Sequence, residues 1–198
     1  MVRLLIGKRF VVARESDEPA GEERLPIILA HGRAFGSGEH ETTRSCLEEL
    51  EELPLLPAMR VLDLGSGTGI LAVAAAKLGA RHVIALDPSP DAIQTTLATI
   101  RLNGMAGMIA PVQGEIDALR GAYFDLILAN LYGDVLLRLV REITALLAPG
   151  GCVVMSGIQY ADAYDLRMRF AQTGCALRKE RYLEEYCTLV FHSPFKPC

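Results

Sequence analysis

The sequence predicts an α/β protein: a doubly wound, seven-stranded sheet that ends in an antiparallel C-terminal hairpin. Three observations carry that expectation. Short apolar runs alternate with helical patterns from Met59 to Thr173. A glycine-rich turn, Asp63-Leu64-Gly65-Ser66-Gly67-Thr68-Gly69, joins the first of those runs to the first of those helices. Two strand-like runs then close the chain around Leu183-Glu184, a connection too short for a crossover, so they must be antiparallel neighbours. Alternating strands and helices imply parallel strands with helices on both faces. A plain dinucleotide-binding fold ends instead in further parallel strands.

Taken in order, residues 3–14 (RLLIGKRFVVAR) read as a hairpin split at Gly7-Lys8. ESDEPAGEER is a solvated loop, and PIILA at 26–30 a short strand. Residues 1–30 thus form a β lead-in, and residues 31–198 the main domain. HGRAFGSGEHE, at 31–41, is too glycine-rich for regular structure; a helix follows from Thr42 to Glu52, with Thr42 or Thr43 near its cap. MRVLDLG is then a buried strand, ILAVAAAKLGA a helix ending at Gly79, HVIALD a second strand and PDAIQTTLATIRLNG a second helix. MIAPVQG is a weaker third strand and FDLILAN a fourth. A helix from Gly133 to Leu147 sets Leu136, Leu139, Val140, Ile143 and Leu147 on one face, and Pro149-Gly150-Gly151 stops it. CVVMSGI is the fifth parallel strand, residues 160–173 a last helix, and CALRKERYLEEYCTLVFH the closing hairpin.

The 198 residues, 51% hydrophobic and 22% charged, fit one large domain with a sizeable core. The net charge is −4 and no lysine-arginine block stands out, so the broad basic footprint of a dedicated nucleic-acid binder is missing. The five cysteines are odd in number, far apart and without a CxxC pair, which points to reduced thiols in a cytoplasmic protein. The four histidines show no metal-ligand spacing, so no metal is expected. MVRLLIGKRF lacks the long apolar run and cleavage site of a signal peptide, and no apolar run is long enough to span a membrane.

The glycine turn departs from the G-x-G-x-x-G of nicotinamide enzymes, because Ile70 stands where that pattern has glycine. The helix start after it offers unpaired N–H groups. Asp63 before the turn suits a ligand with a cationic amino group rather than phosphates, and S-adenosylmethionine is such a ligand. The plain structural alternative is a turn that only packs a helix on a strand. Asp87, at the end of the second strand, is placed to accept ribose hydroxyls, or to cap the helix at Pro88–Asp91. Glu115 is a weaker candidate for the adenine amino group, and reads equally as a surface residue. Asn130 ends the fourth strand, at the sheet edge where open α/β proteins bind ligands. Its carbonyl oxygen can hold a substrate amine or the donor's methionine end; the alternative is a turn residue. Tyr132 would wall the same cleft or be a half-buried aromatic at the helix start. Ala34–Thr43 reads as a lid or ligand-capping loop, with His40 a surface residue.

At these residues the sequence resembles the PrmA family, the methyltransferases of large-subunit ribosomal protein L-eleven. AFGSGEHETT is similar to the family's A-F-G-T-G-x-H-x-T-T, and DLGSGTGILA to D-x-G-C-G-S-G-I-L-A. ANLY corresponds to A-N-I-L, PGGCVVMSGI to P-G-G with a strand ending S-G-I, and EYCTLV to E-W-x-x-L-V. The opening LLIGKRFVVARE resembles the lead-in to the family's catalytic domain, so the resemblance runs over nearly the whole chain. It implies the Rossmann-like fold of class I S-adenosylmethionine-dependent methyltransferases, cofactor contacts at Thr43, Gly65, Asp87 and Asn130, and closure of Phe35–Thr43 over the cofactor. Ser37, Glu39, Glu41 and Tyr132 depart from the family pattern. The family's N-terminal domain, which grips the ribosomal protein, has no counterpart in these residues; the catalytic part alone is expected.

With the residue-level readings, the candidate cofactor-binding set is Phe35, Thr43, Gly65, Ser66, Gly67, Asp87, Glu115 and Asn130. Asn130 and Tyr132 are the catalytic candidates. The expected reaction is N-methylation of a protein amine, lysine or N-terminal, with a ribosomal protein as the nearest analogy and S-adenosylhomocysteine as the by-product. The rivals are a small-molecule methyltransferase, a non-catalytic cofactor-binding protein and an NAD-dependent oxidoreductase.

Overall fold

A computed structural model describes residues 3–14, 24–32, 34–54 and 57–194. The main sheet has seven strands: β4 (Arg60–Leu64), β5 (His82–Asp87), β6 (Ile109–Gln113), β7 (Phe124–Asn130), β8 (Leu147–Gln159), β9 (Ala176–Tyr182) and β10 (Tyr186–His192), in the order β6-β5-β4-β7-β8-β10-β9. Strands β4 to β8 pair in parallel, and β10 runs antiparallel to both β8 and β9. The expected five parallel strands and closing hairpin are therefore present. Strand order reverses between β4 and β7, which opens a crevice at their carboxyl ends.

Helices α1 (Glu41–Glu52), α2 (Ile70–Lys77) and α3 (Pro90–Leu102) cover one face; α4 (Gly133–Leu146) and α5 (Tyr160–Gln172) cover the other. Side chains alternate along a strand, so neighbours in sequence enter different cores. Val61, Leu126 and Leu128 join the first core, while Leu62, Ile127 and Ala129 join the second. The alanine-rich α2 is buried from Ile70 to Ala76. Small side chains let it lie close under a second layer of chain.

That layer is a three-stranded sheet of β1 (Leu4–Ile6), β2 (Phe10–Arg14) and β3 (Leu25–Leu29). β1 and β2 form the expected hairpin, and β3 pairs parallel with β2. Ile6, Phe10, Val12, Ile27 and Leu29 belong to the same core as α1 and α2. Polar fasteners fix the sheet in place. The Glu51 carboxylate on α1 accepts Lys8 and Arg9 N–H at 3.0 Å, and Asn103, which caps α3, bonds both backbone groups of Ile28.

Two boundaries differ from expectation. Helix α1 begins at Glu41 with His40 as its N-cap, since His40 Nδ1 takes the Thr42 N–H. Thr42 and Thr43 lie inside the helix. Helix α4 stops at Leu146, and β8 already begins at Leu147, opposite Phe124; the next paired residues are Leu126 and Cys152. Pro149-Gly150-Gly151 therefore bulges out of a strand rather than ending a helix, as an extra loop of backbone opposite a continuous partner. A 3-10 turn at Ile116–Leu119 had no sequence signal of its own. The four described cysteines, Cys46, Cys152, Cys175 and Cys187, are buried and unpaired. No described helix is long and apolar enough to cross a membrane.

Candidate active site

A cavity of about 480 Å³ lies at the carboxyl ends of the central strands, at the crevice beside β4 and β7. That volume suits a nucleoside-sized ligand. Its floor is the glycine turn at Gly65 and Gly67. The turn is more occupied than its composition suggests. Gly65 and Ser66 N–H both donate to the Leu86 carbonyl, at 2.8 and 3.0 Å. Gly67 N–H donates to Asp87 Oδ2 at 3.0 Å, Thr68 N–H to the Phe35 carbonyl at 3.0 Å, and Gly69 N–H to the Ser66 carbonyl at 2.7 Å. Every amide from Gly65 to Gly69 thus has an acceptor within the protein, and none is left for a pyrophosphate.

Asp63 completes that closure. It is 1% exposed, and its Oδ2 accepts the Ala72 N–H in the first turn of α2 at 3.0 Å. A carboxylate of the protein therefore occupies the place where a phosphate meets a helix N-terminus. Asp63 does not line the cavity. Its bond to Ala72 takes one of the amides expected to be free at the helix start, and its place off the cavity corrects the expectation of an Asp63 that faces the ligand. Burial pushes its carboxyl up to about 7, against the Ala72 hydrogen bond and with a further push from the charge of Asp87.

Asp87 does line the cavity. Its Oδ1 accepts Ser89 N–H at 2.9 Å while Oδ2 holds Gly67. The helix-capping role belongs to Ser89, whose hydroxyl accepts the Ala92 N–H. Asp87 accordingly ties the end of β5 to the glycine turn, and its carboxylate keeps lone pairs for a ligand. Asp91, in the first turn of α3, lines the same wall beside Pro88 and Ala92. No lysine or arginine appears among the described lining residues. The cavity therefore favours a cation and opposes a polyanion.

Across the cavity stands Asn130, at the end of β7. Its Nδ2 donates to Thr43 Oγ1 at 3.0 Å, which turns Oδ1 to the free side. Thr43 itself is fully buried and off the cavity wall; Thr42 is the lining residue. Gly157, which follows Ser156, the partner of Asn130 on the neighbouring strand, has φ +83°. A Cβ there would fall against the Leu131 carbonyl and 3.4 Å from Asn130 Oδ1, so glycine keeps that oxygen clear.

The roof is the segment expected to act as a lid. It is already fastened: Thr68 holds the Phe35 carbonyl through its N–H and the Gly36 carbonyl through its hydroxyl at 2.7 Å. A Cβ on Gly67 would fall on the same Phe35 carbonyl. His40 stands edge-on between Phe35 and Tyr186, with ring centroids 5.5 and 5.4 Å away. Tyr132 forms the outer lip and is 70% exposed.

Of the sequence-derived candidates, Phe35, Gly65, Gly67, Asp87, Asn130 and Tyr132 meet at one cavity. Thr43, Ser66 and Glu115 do not line it. Ser66 is buried with its hydroxyl 3.2 Å from that of Thr96, and Glu115 is exposed ahead of the 3-10 turn. Sequence reasoning missed Thr42, Asp91, Gly157 and Tyr186. Gly157 and Tyr186 sat in quoted motifs, SGI and EYCTLV, and were not given a role.

Comparison with known proteins identifies the family to which this fold belongs. The profile of the family described as "Ribosomal protein L11 methyltransferase (PrmA)" matches residues 4–194. A ribosomal protein L11 methyltransferase of Pelobacter propionicus is 37% identical over 193 residues, covering 95% of this chain and 62% of that protein. One of Geobacter sp. (strain M21) is 41% identical over 160 residues, covering 77% of this chain and 52% of that protein. The chain thus spans between half and two thirds of the length of these relatives. The crystal structure of a ribosomal protein L11 methylase from Lactobacillus delbrueckii subsp. bulgaricus superposes with TM-score 0.88 at 28% identity, over 97% of this chain and 98% of that one. An RNA methyltransferase from Salinibacter ruber, solved with S-adenosyl-L-homocysteine, shares the fold at TM-score 0.63 and 20% identity, over 78% of this chain and 94% of that one. By sequence over almost its whole length, and by its overall fold, the chain belongs to the ribosomal protein L11 methyltransferase (PrmA) family.

Proposed function

We propose that the chain binds S-adenosylmethionine and directs its methyl group to an amine nitrogen of a protein, a lysine or an N-terminal amine, with a ribosomal protein as the nearest acceptor. One observation carries the reading: the cavity presents Asp87 and Asp91, no described lysine or arginine, and a glycine turn whose amides are already used. Such a pocket fits a positively charged nucleoside and opposes NAD. Asp87 would hold the ribose hydroxyls, Phe35, Pro88 and Ala92 the base, and Asn130 the amine or the methionine end. When bound, the donor supplies a methyl group on a sulfonium, a leaving group that needs no acid.

The protein's task is then to position and desolvate the acceptor. Asn130 Oδ1 accepts an N–H of the neutral amine and aims its lone pair into the cavity. Tyr132 and Tyr186 line the amine's approach, and it is the loss of water on entering the cavity that disfavours the ammonium form and lowers its pKa. The surplus proton of the methylated amine leaves to water past the exposed Tyr132. Holding two reactants in line supplies up to about 7–11 kcal/mol without acid-base machinery.

The test is transfer of labelled methyl groups into a cell extract, with the product identified by mass. A labelled protein is expected, and Asn130→Ala should cut transfer by about a hundredfold at unchanged melting temperature. Donor binding without labelled product would instead make the chain a cofactor-binding protein. An unaltered rate in Asn130→Ala would take Asn130 out of the mechanism.

A further inference from the structure

Beside the cavity mouth the surface is rich in exposed tyrosine. Tyr132 is the lip. Tyr160, 47% exposed, opens α5, whose Asp162 packs against Gly133, the residue next to Tyr132. Tyr182, 61% exposed, meets Tyr160 edge-on at 5.6 Å. These rings are held in place. The Tyr160 hydroxyl donates to the Leu183 and Glu184 carbonyls, and the Glu41 carboxylate accepts Glu184 N–H at 2.8 Å and Glu185 N–H at 3.1 Å. The turn between β9 and β10 is therefore clamped from both sides, and its two glutamates stay exposed. A groove of about 370 Å³ runs along this turn and shares His40 and Tyr186 with the donor cavity. Glu39, Glu41, Glu184 and Glu185 line it against one guanidinium, Arg44.

Fixed, exposed aromatic rings are costly to leave in water and are favoured at protein interfaces. Their faces attract ammonium groups, and flanking carboxylates choose the same sign of charge. Phosphate-bearing partners would be repelled. We infer that this tyrosine surface and its groove dock a lysine-rich segment of the acceptor protein and lead one of its amines to Asn130. The inference rests on the methyl-transfer reading and adds the surface that recognises the acceptor.

The test uses the full chain and a fluorescein-labelled peptide of alternating lysine and alanine, followed by anisotropy. The peptide should bind, more weakly as salt rises, while its glutamate counterpart and a uridine oligonucleotide of equal length should not. Glu184→Lys with Glu185→Lys, and separately Tyr182→Ala, should each weaken binding about tenfold. If the double variant fails to fold, Glu185→Gln replaces it, because the backbone N–H bonded to Glu41 survives. Absent binding, unchanged binding in the variants, or tighter binding of the oligonucleotide would overturn the inference. Donor binding is measured by calorimetry on the same samples and should not change, since none of these side chains lines the cavity. A wild-type chain that binds peptide and no donor would sink the methyl-transfer reading alone.

Discussion

Asp63 shows how much one buried carboxyl can do. Burial raises its pKa in the fold from an ordinary carboxylate value to about 7. The folded state then holds a proton that the unfolded chain has lost between those two values. By linkage, the stabilising contribution is complete in acid, below the unfolded pKa, and is lost as pH rises through 7. Asp63→Asn keeps an acceptor for Ala72 N–H and carries no charge. Its melting temperature should gain on the wild type as pH rises from about 5 towards 7 and level off above that. A constant difference across that range would show that Asp63 titrates normally. Burial also pushes the Cys152 thiol up to about 12 and that of Cys187 to about 11, so neither is a nucleophile at neutral pH. Asp87 and Asn130, both picked out in the sequence, line the cavity because both end strands at the ligand edge of the sheet. The sequence misplaced Asp63, because the direction of a side chain beneath a turn depends on which amide it meets.

Among elements, the segment before α1 gains its shape from the glycine turn. Thr68 makes two bonds to it, and His40 both caps α1 and packs between two rings. Thr68→Val keeps the volume and removes the hydroxyl bond to Gly36. A hydrogen bond of this kind is worth about 1 kcal/mol, so donor affinity should fall about fivefold. Amide exchange from Gly36 to His40 should quicken while the strands stay protected. Equal exchange in both proteins would mean that the hydroxyl bond does not hold the roof. Element boundaries were the least legible feature of the sequence. His40 is not an obvious cap, and Pro149-Gly150-Gly151 looks like a stop signal in either context. Pairing across to Phe124 settles its place in β8.

In the whole molecule, two cores share one sheet, and the small sheet of β1 to β3 belongs to the first core. Phe10 is fully buried there with Ile6 and Ile27. Phe10→Ala should cost about 3–5 kcal/mol in urea unfolding and leave a single transition, because the small sheet and α2 share their apolar contacts. A separate early transition would make the β lead-in an independent unit. A half-buried ion cluster ties the far edge to the same core. Glu49 on α1, 4% exposed, meets Lys179 at 2.8 Å and Arg181 at 2.9 Å on β9.

The sequence by itself determined the alternation of strands and helices, the closing hairpin, the glycine turn and the pairing of Asp87 with Asn130 as ligand-edge residues. These follow from local periodicity and strand ends, which neighbouring residues set. The tertiary structure decided that the turn's amides are spent on Leu86, Asp87 and Phe35, that Thr43 orients Asn130, and that Asp91, Gly157 and Tyr186 close the cavity. Those facts join residues from distant parts of the chain, and hydrogen-bond satisfaction across such distances leaves no pattern in the order of residues.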